Sequence, residues 1–101
     1  MRSLSKATLR GLRNVLYIGF SEPTNVETRV QTHLSEFKKA DVVVHAHVSR
    51  LLLDGGATEQ DLISHFRANK SQTWLGKGIK NIRNSKHVGR SGFAYVLVRV
   101  R

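Results

Sequence analysis

Polar and basic side chains recur along residues 72–84 at spacings that would place most of them on one face of a helix. An α-helix fits the major groove of DNA, where amide, hydroxyl and ammonium groups of this kind can contact base edges and phosphates. A Gly-rich stretch at 87–93 follows and carries one more guanidinium. The residues singled out on this basis are Gln72, Thr73, Lys77, Lys80, Asn81, Arg83, Asn84, Lys86 and Arg90.

The distribution of charge along the chain indicates the same kind of partner. All seven Asp and Glu lie between Glu22 and Asp61, whereas residues 62–101 carry nine Lys or Arg. Residues 1–20 carry four more bases and no acid, and two of these, Arg10 and Arg13, join the candidate binding residues. A formal net charge of +10 that is separated in this way creates a strongly positive surface. Nucleic-acid phosphate is the commonest partner for such a surface.

Composition limits the other functions that need consideration. A chain of 101 residues makes one domain. It contains no cysteine, which excludes disulfides and thiolate zinc sites, and no apolar run is long enough to span a membrane. His45 and His47 would share one face of a strand, but zinc needs a third ligand and the pattern implies none. We therefore expect no enzyme activity, no cofactor and no metal.

The first 20 residues are basic and amphipathic. A helix over 3–18 would place Leu4, Leu12, Val15 and Ile18 on one side, although 14–20 reads equally well as a short buried strand. A mitochondrial presequence has a similar composition. We expect instead a basic N-terminal helix or arm on a cytoplasmic, nucleic-acid-associated protein.

Two further segments have helical patterns of different clarity. Thr24 and Glu27 form a capping-box pattern ahead of a helix whose apolar stripe is Val26, Val30, Leu34 and Phe37. Residues 41–54 alternate apolar and polar side chains like a strand. Three leucines lie near the end of the segment, and glycines follow at 55 and 56. This pattern favours a helix with a C-cap, and we therefore predict a helix.

The last 44 residues begin with a helix that Thr58 would cap. A turn at 68–71 leads into the basic helix, which Ser71 would cap and which would extend through about residue 84. Residues 93–101 then alternate as a strand.

The succession of helix, Gly-Gly turn, short helix, turn, basic helix, Gly-rich loop and strand over 43–101 resembles the winged helix-turn-helix superfamily of DNA-binding domains. Segments 51–62, 71–85 and 88–100 carry the resemblance. It implies a mainly α fold with a C-terminal β-hairpin, and a homodimer that regulates transcription. Helix 72–84 would enter the major groove, and the wing at 87–93 would contact the DNA that flanks this site.

Two alternatives stay open from the sequence. If 14–20 and 42–48 are both strands, the chain becomes a small α/β sandwich (βαβ-ααβ), similar to chromatin proteins of the Alba type or to RNA-binding α/β domains. Such a protein would bind the DNA or RNA backbone with little sequence preference. Alternatively, the basic face docks on an acidic protein, as compact phage or plasmid inhibitors do.

Overall fold

The fold is an α+β arrangement of one mixed sheet with helices on both faces. The computed structural model describes residues 3–73 and 88–100. In chain order the elements are β1 (Ser3–Leu4), α1 (Lys6–Arg10), β2 (Val15–Ser21), α2 (Val26–Lys39), β3 (Val44–Ser49), α3 (Gly55–Ala68), a 3-10 turn (Lys70–Gln72) and β4 (Phe93–Arg99).

The last strand lies in the middle of the sheet. The strand order is β1-β3-β4-β2, and β4 is antiparallel to both of its neighbours. β1 adds only two residues, parallel to the end of β3. Because β4 is apolar at nearly every position, it can be buried on both faces, which a central strand requires.

Two hydrophobic cores follow from the alternation of side chains along β4. Ala94, Val96 and Val98 pack toward α1 and α3, with Leu62 and Phe66 of α3 fully buried against them. Tyr95 and Leu97 point to the other face and pack under α2 with Val30 and Val48. The alternation predicted for this strand is therefore confirmed, and it is what allows helices on both faces.

The prediction of a mainly α, winged-helix fold with a C-terminal hairpin is wrong. β4 pairs with β2 and β3, which are distant in sequence, so it forms no local hairpin. Residues 44–49 form a strand, because β4 pairs with one side of their backbone and a strand suits the β-branched side chains of Val44 and Val48. The alternative sandwich required strands at 14–20 and 42–48, close to where the structure has β2 and β3.

Several element boundaries also differ from the predictions. Gly55 and Gly56 open α3 instead of ending a helix, and Asp54 is the N-cap: its carboxylate accepts the amide of Ala57 at 2.8 Å. The N-terminal helix is confined to α1. Asn14 has a φ of 58°, a left-handed conformation that Asn tolerates, and the chain reverses there into β2. α2 begins after Asn25, with no side-chain cap.

Gly19 should be intolerant of any side chain. It lies opposite Tyr95 in the β2–β4 pair, and a Cβ at this position would collide with the ring of that fully buried tyrosine. We expect Gly19→Ala to lower the free energy of unfolding by about 1–3 kcal/mol in urea denaturation. Gly11→Ala is the control, because a Cβ there meets only ordinary contacts. Equal stability of the two variants would contradict this packing.

Candidate nucleic-acid interface

Six of the eleven Lys and Arg among the described residues lie at one end of the sheet. β2 and β3 begin at this end, β4 finishes there, and the two long helices descend toward it after β2 and β3. α1 runs alongside α3, with Lys6 paired to Asp61 and Arg10 next to His65, so it finishes at the same end. We call this the basic end; its members are Arg10, Arg13, Lys38, Lys39, Arg67 and Arg99.

Hydrogen bonds fix the loop that carries Arg13 against the neighbouring elements. The Gln72 side-chain amide donates to the carbonyls of Arg10 and Leu12, both at 3.0 Å. His65 donates from Nε2 to the same Arg10 carbonyl at 2.9 Å, and the Arg99 amide donates to the Asn14 carbonyl at 2.8 Å. The segment between α1 and β2 is thereby held next to the ends of α3 and β4.

Acidic residues are mostly at the opposite end. Glu36 and Asp41 are the two carboxylates at the basic end, and Glu36 is paired with His33 at 3.3 Å. The other five acids lie at the opposite end or along the first half of α3. Arg10, Arg13, Lys38 and Lys39 are exposed and have no carboxylate partner within residues 3–73 and 88–100.

Part of this charge has a structural role. Arg10, Lys38, Lys39 and Arg67 lie in the last turns of their helices, where the negative end of the helix dipole attracts cations. Arg13 and Arg99 lie outside the helices, so this explanation does not apply to them. The basic end therefore holds more positive charge than the helix ends account for.

The structure places the predicted site residues that it describes in different positions. Arg10 and Arg13 are exposed at the basic end. Gln72 and Thr73 are not surface residues of an α-helix: Gln72 ends a 3-10 turn and bridges carbonyls, and Thr73 is buried in a β-bridge to Val15. The others from the basic helix lie outside the described residues, namely Lys77, Lys80, Asn81, Arg83, Asn84 and Lys86.

Arg90 lies at the opposite end, where its guanidinium is paired with the Glu22 carboxylate. The two side chains line a cleft of about 290 Å³ together with Asn25 and Arg29. The described part of the predicted wing is tied to the start of α3, because the Gly89 amide donates to Asp54 at 2.8 Å. Arg90 therefore forms an ion pair within the protein, whereas the sequence predicted a guanidinium on a wing that contacts DNA.

Four cations of the basic end were not predicted as binding residues. Nothing in the sequence pattern around Lys38, Lys39, Arg67 and Arg99 distinguishes them from ordinary surface bases. The strand directions bring them together, and the sequence does not reveal these directions. The bases in the last turns of α1, α2 and α3 are visible in the sequence, but only the shared direction of these helices places them at one end.

The other titratable clusters do not form a site for chemistry. His33 of α2 packs against Tyr17 and Tyr95 of the sheet, and the three ring centroids are 4.3–6.1 Å apart. Burial raises the pKa of Tyr17 and of Tyr95 above the ordinary value, which makes both hydroxyls harder to ionise and unsuited to act as bases or nucleophiles. Burial lowers the pKa of His47 on β3. Within the described residues no group of three or more His, Cys, Asp or Glu is placed to hold a metal.

No protein-family model matches the chain, and comparison with curated proteins and with solved structures yields no match either. In the part of the chain that the structure describes, no helix has the length and apolar character needed to cross a membrane. Functional inference therefore rests on the geometry of the basic end.

Replacement of Gln72 tests whether its hydrogen bonds hold the α1–β2 loop in place. Gln72→Ala removes both hydrogen bonds to the α1–β2 loop, so we expect a loss of about 1–2 kcal/mol in the free energy of unfolding, measured in urea. Gln31→Ala, on the exposed surface of α2, should be neutral. If Gln72 instead reads bases, its replacement will weaken DNA binding and leave stability at the level of the control.

Proposed function

We propose that the protein binds nucleic acids through their phosphate backbone, with the basic end as the contact surface. The observation that carries the proposal is the exposure of Arg10, Arg13, Lys38 and Lys39 at one end without carboxylate partners among the described residues. Separation of positive from negative charge orients the molecule toward a polyanion and accelerates encounter.

Backbone contact fits this surface better than base recognition. The basic end consists of helix C-termini, a loop and strand ends, so its main-chain carbonyls would repel a phosphate that came close. Long Lys and Arg side chains overcome this by reaching phosphates at a distance. Contacts of this kind position a protein on nucleic acid but carry no sequence information.

Aromatic stacking on unpaired bases has less support. Every Phe and Tyr in residues 3–73 and 88–100 is at least partly buried, including Tyr17, Phe37 and Phe93 in the core beneath α2. A protein that binds single strands by stacking presents such rings to the solvent. We therefore favour duplex DNA or RNA over single strands as the ligand.

Binding should be strongly dependent on salt and nearly independent of sequence. If the six cations of the basic end neutralise phosphates, the logarithm of the association constant should fall with the logarithm of salt concentration with a slope of about −5 on duplex DNA. Fluorescence anisotropy on random-sequence DNA and RNA duplexes measures this slope. Selection of one sequence from the random pool would favour base recognition through segment 74–87 instead.

A charge-reversal pair locates the surface. Arg10→Glu with Arg13→Glu should weaken binding about 100-fold at low salt and reduce the salt slope by about 2, because two phosphate contacts become repulsive. Arg29→Glu with Arg50→Glu is the control, since it changes the net charge equally with exposed residues at the opposite end.

Similar losses in the two double variants would mean that net charge alone governs binding, and the basic end would not be the site. Lys77→Glu with Lys80→Glu forms a third arm. A larger loss there than in the Arg10 and Arg13 variant would move the contact surface to residues 74–87.

A further inference from the structure

We propose that the outer edge of β3 binds an extended acidic peptide as an added strand, with an apolar side chain of the peptide in the groove between β3 and the end of α2. This surface is separate from the loop that carries Arg13, and the inference does not rest on nucleic-acid binding. Strand addition of this kind combines main-chain hydrogen bonds for affinity with side-chain pockets for specificity.

The backbone of β3 has an unpaired side in its first half. The Val100 amide donates to the Val43 carbonyl at 2.9 Å, so by alternation residues 43, 45 and 47 direct their backbone groups toward β4. Val44 and Ala46 direct theirs away. The Arg99 amide supports this register, because Arg99 lies opposite Val44 and its amide points to Asn14, on the side of β2.

β1 covers only the second half of this edge. It pairs with Val48 and Ser49, and no other described strand reaches the outer side of β3. The amides and carbonyls of Val44 and Ala46 therefore have no strand partner within the described residues. Proteins usually protect such an edge with a proline, a bulge or an inward-pointing charge, and residues 44–47 contain none of these.

An apolar groove lies beside the open edge. It has a volume of about 310 Å³ and is lined by Leu34, Lys38, Val42, Val43 and Val44. Val43, one of the lining residues, is 56% exposed. The side chain of Ala46 packs toward α2, so a strand added next to it would direct alternate side chains to the same face, where the groove lies.

Charge selects the occupant. Lys38 lines the groove and Lys39 follows it, while Asp41 is the carboxylate close by. A second copy of this chain, with a formal net charge of +10, would bring its own Lys38 to the same place and be repelled. A peptide that alternates apolar and acidic residues can fill the groove with an apolar side chain, pair its main chain with the edge of β3 and place its carboxylates near the lysines.

The experiment uses the full chain and a capped synthetic heptapeptide of alternating Glu and Val. We expect titration to shift the NMR amide signals of residues 43–47. Ala46→Pro should weaken binding at least about tenfold, measured by calorimetry, because it removes an outward amide. The ladder to β4 does not use that amide, and proline is tolerated on sheet edges, so the fold should persist.

Two lysine variants test the same peptide site without a change in the main chain. Lys38→Glu should weaken peptide binding about tenfold, whereas Lys39→Glu, next to it but outside the groove, should weaken it no more than about threefold. A heptapeptide of alternating Lys and Val is the control for charge and should not bind.

Three results would overturn the proposal. The first is peptide-induced shifts around Arg10 and Arg13 with none at residues 43–47. The second is equal losses in the two lysine variants, or equal binding of the basic peptide, since either would mean that charge selects nothing at the groove. The third is concentration-dependent dimerisation of the unmodified chain that Ala46→Pro abolishes, which would assign the edge to a second copy.

Discussion

The structure depends on the pairing of β4 with β2 and β3, which β4 separates from each other in the sheet. β2 and β3 run in the same direction on either side of β4, so β4 supplies the antiparallel ladder for both. Its side chains also supply the centre of each core, with Val96 toward α3 and Tyr95 toward α2. Because Val15 pairs with Val98, much of the sheet forms between distant parts of the chain, and folding must close long loops before the core forms.

The same topology produces the separation of charge. β2 and β3 each lead into a helix that returns along the sheet, and α1 runs alongside α3, so α1, α2 and α3 finish at the same end. Bases in the last turns of these helices are favoured by the helix dipole and are far apart in sequence. Their convergence is thus a consequence of strand direction. Four of the six residues that we propose for phosphate contact, namely Arg10, Lys38, Lys39 and Arg67, therefore also stabilise helix ends, whereas Arg13 and Arg99 lie outside the helices.

Local patterns predicted some elements well and failed where two periodicities competed. The stripe of Val26, Val30, Leu34 and Phe37 correctly indicated α2, and the alternation over 93–101 correctly indicated β4, which the structure gives as Phe93–Arg99. Residues 41–54 fit both a helix and a strand, and pairing with β4, which the sequence cannot reveal, decides for the strand.

The candidate site shows the same limit. Arg10 and Arg13 were recognisable from an acid-free segment, but the pairing of Arg90 with Glu22 joins residues 68 positions apart, and no local pattern predicts it.

Lys38 belongs to both proposed surfaces, since it lies in the last turn of α2 at the basic end and also lines the groove beside β3. A peptide carboxylate and a nucleic-acid phosphate would therefore require the same ammonium group, and linkage demands that each lower the affinity for the other equally. An exposed ion pair contributes only about 0.2–1 kcal/mol, so competition through Lys38 alone amounts to a factor of about five at most. Stronger coupling requires carboxylates that extend beyond the groove toward Arg99, which lies opposite Val44. The length and charge of a bound strand, more than its occupancy of the groove, would then determine how far it weakens nucleic-acid binding.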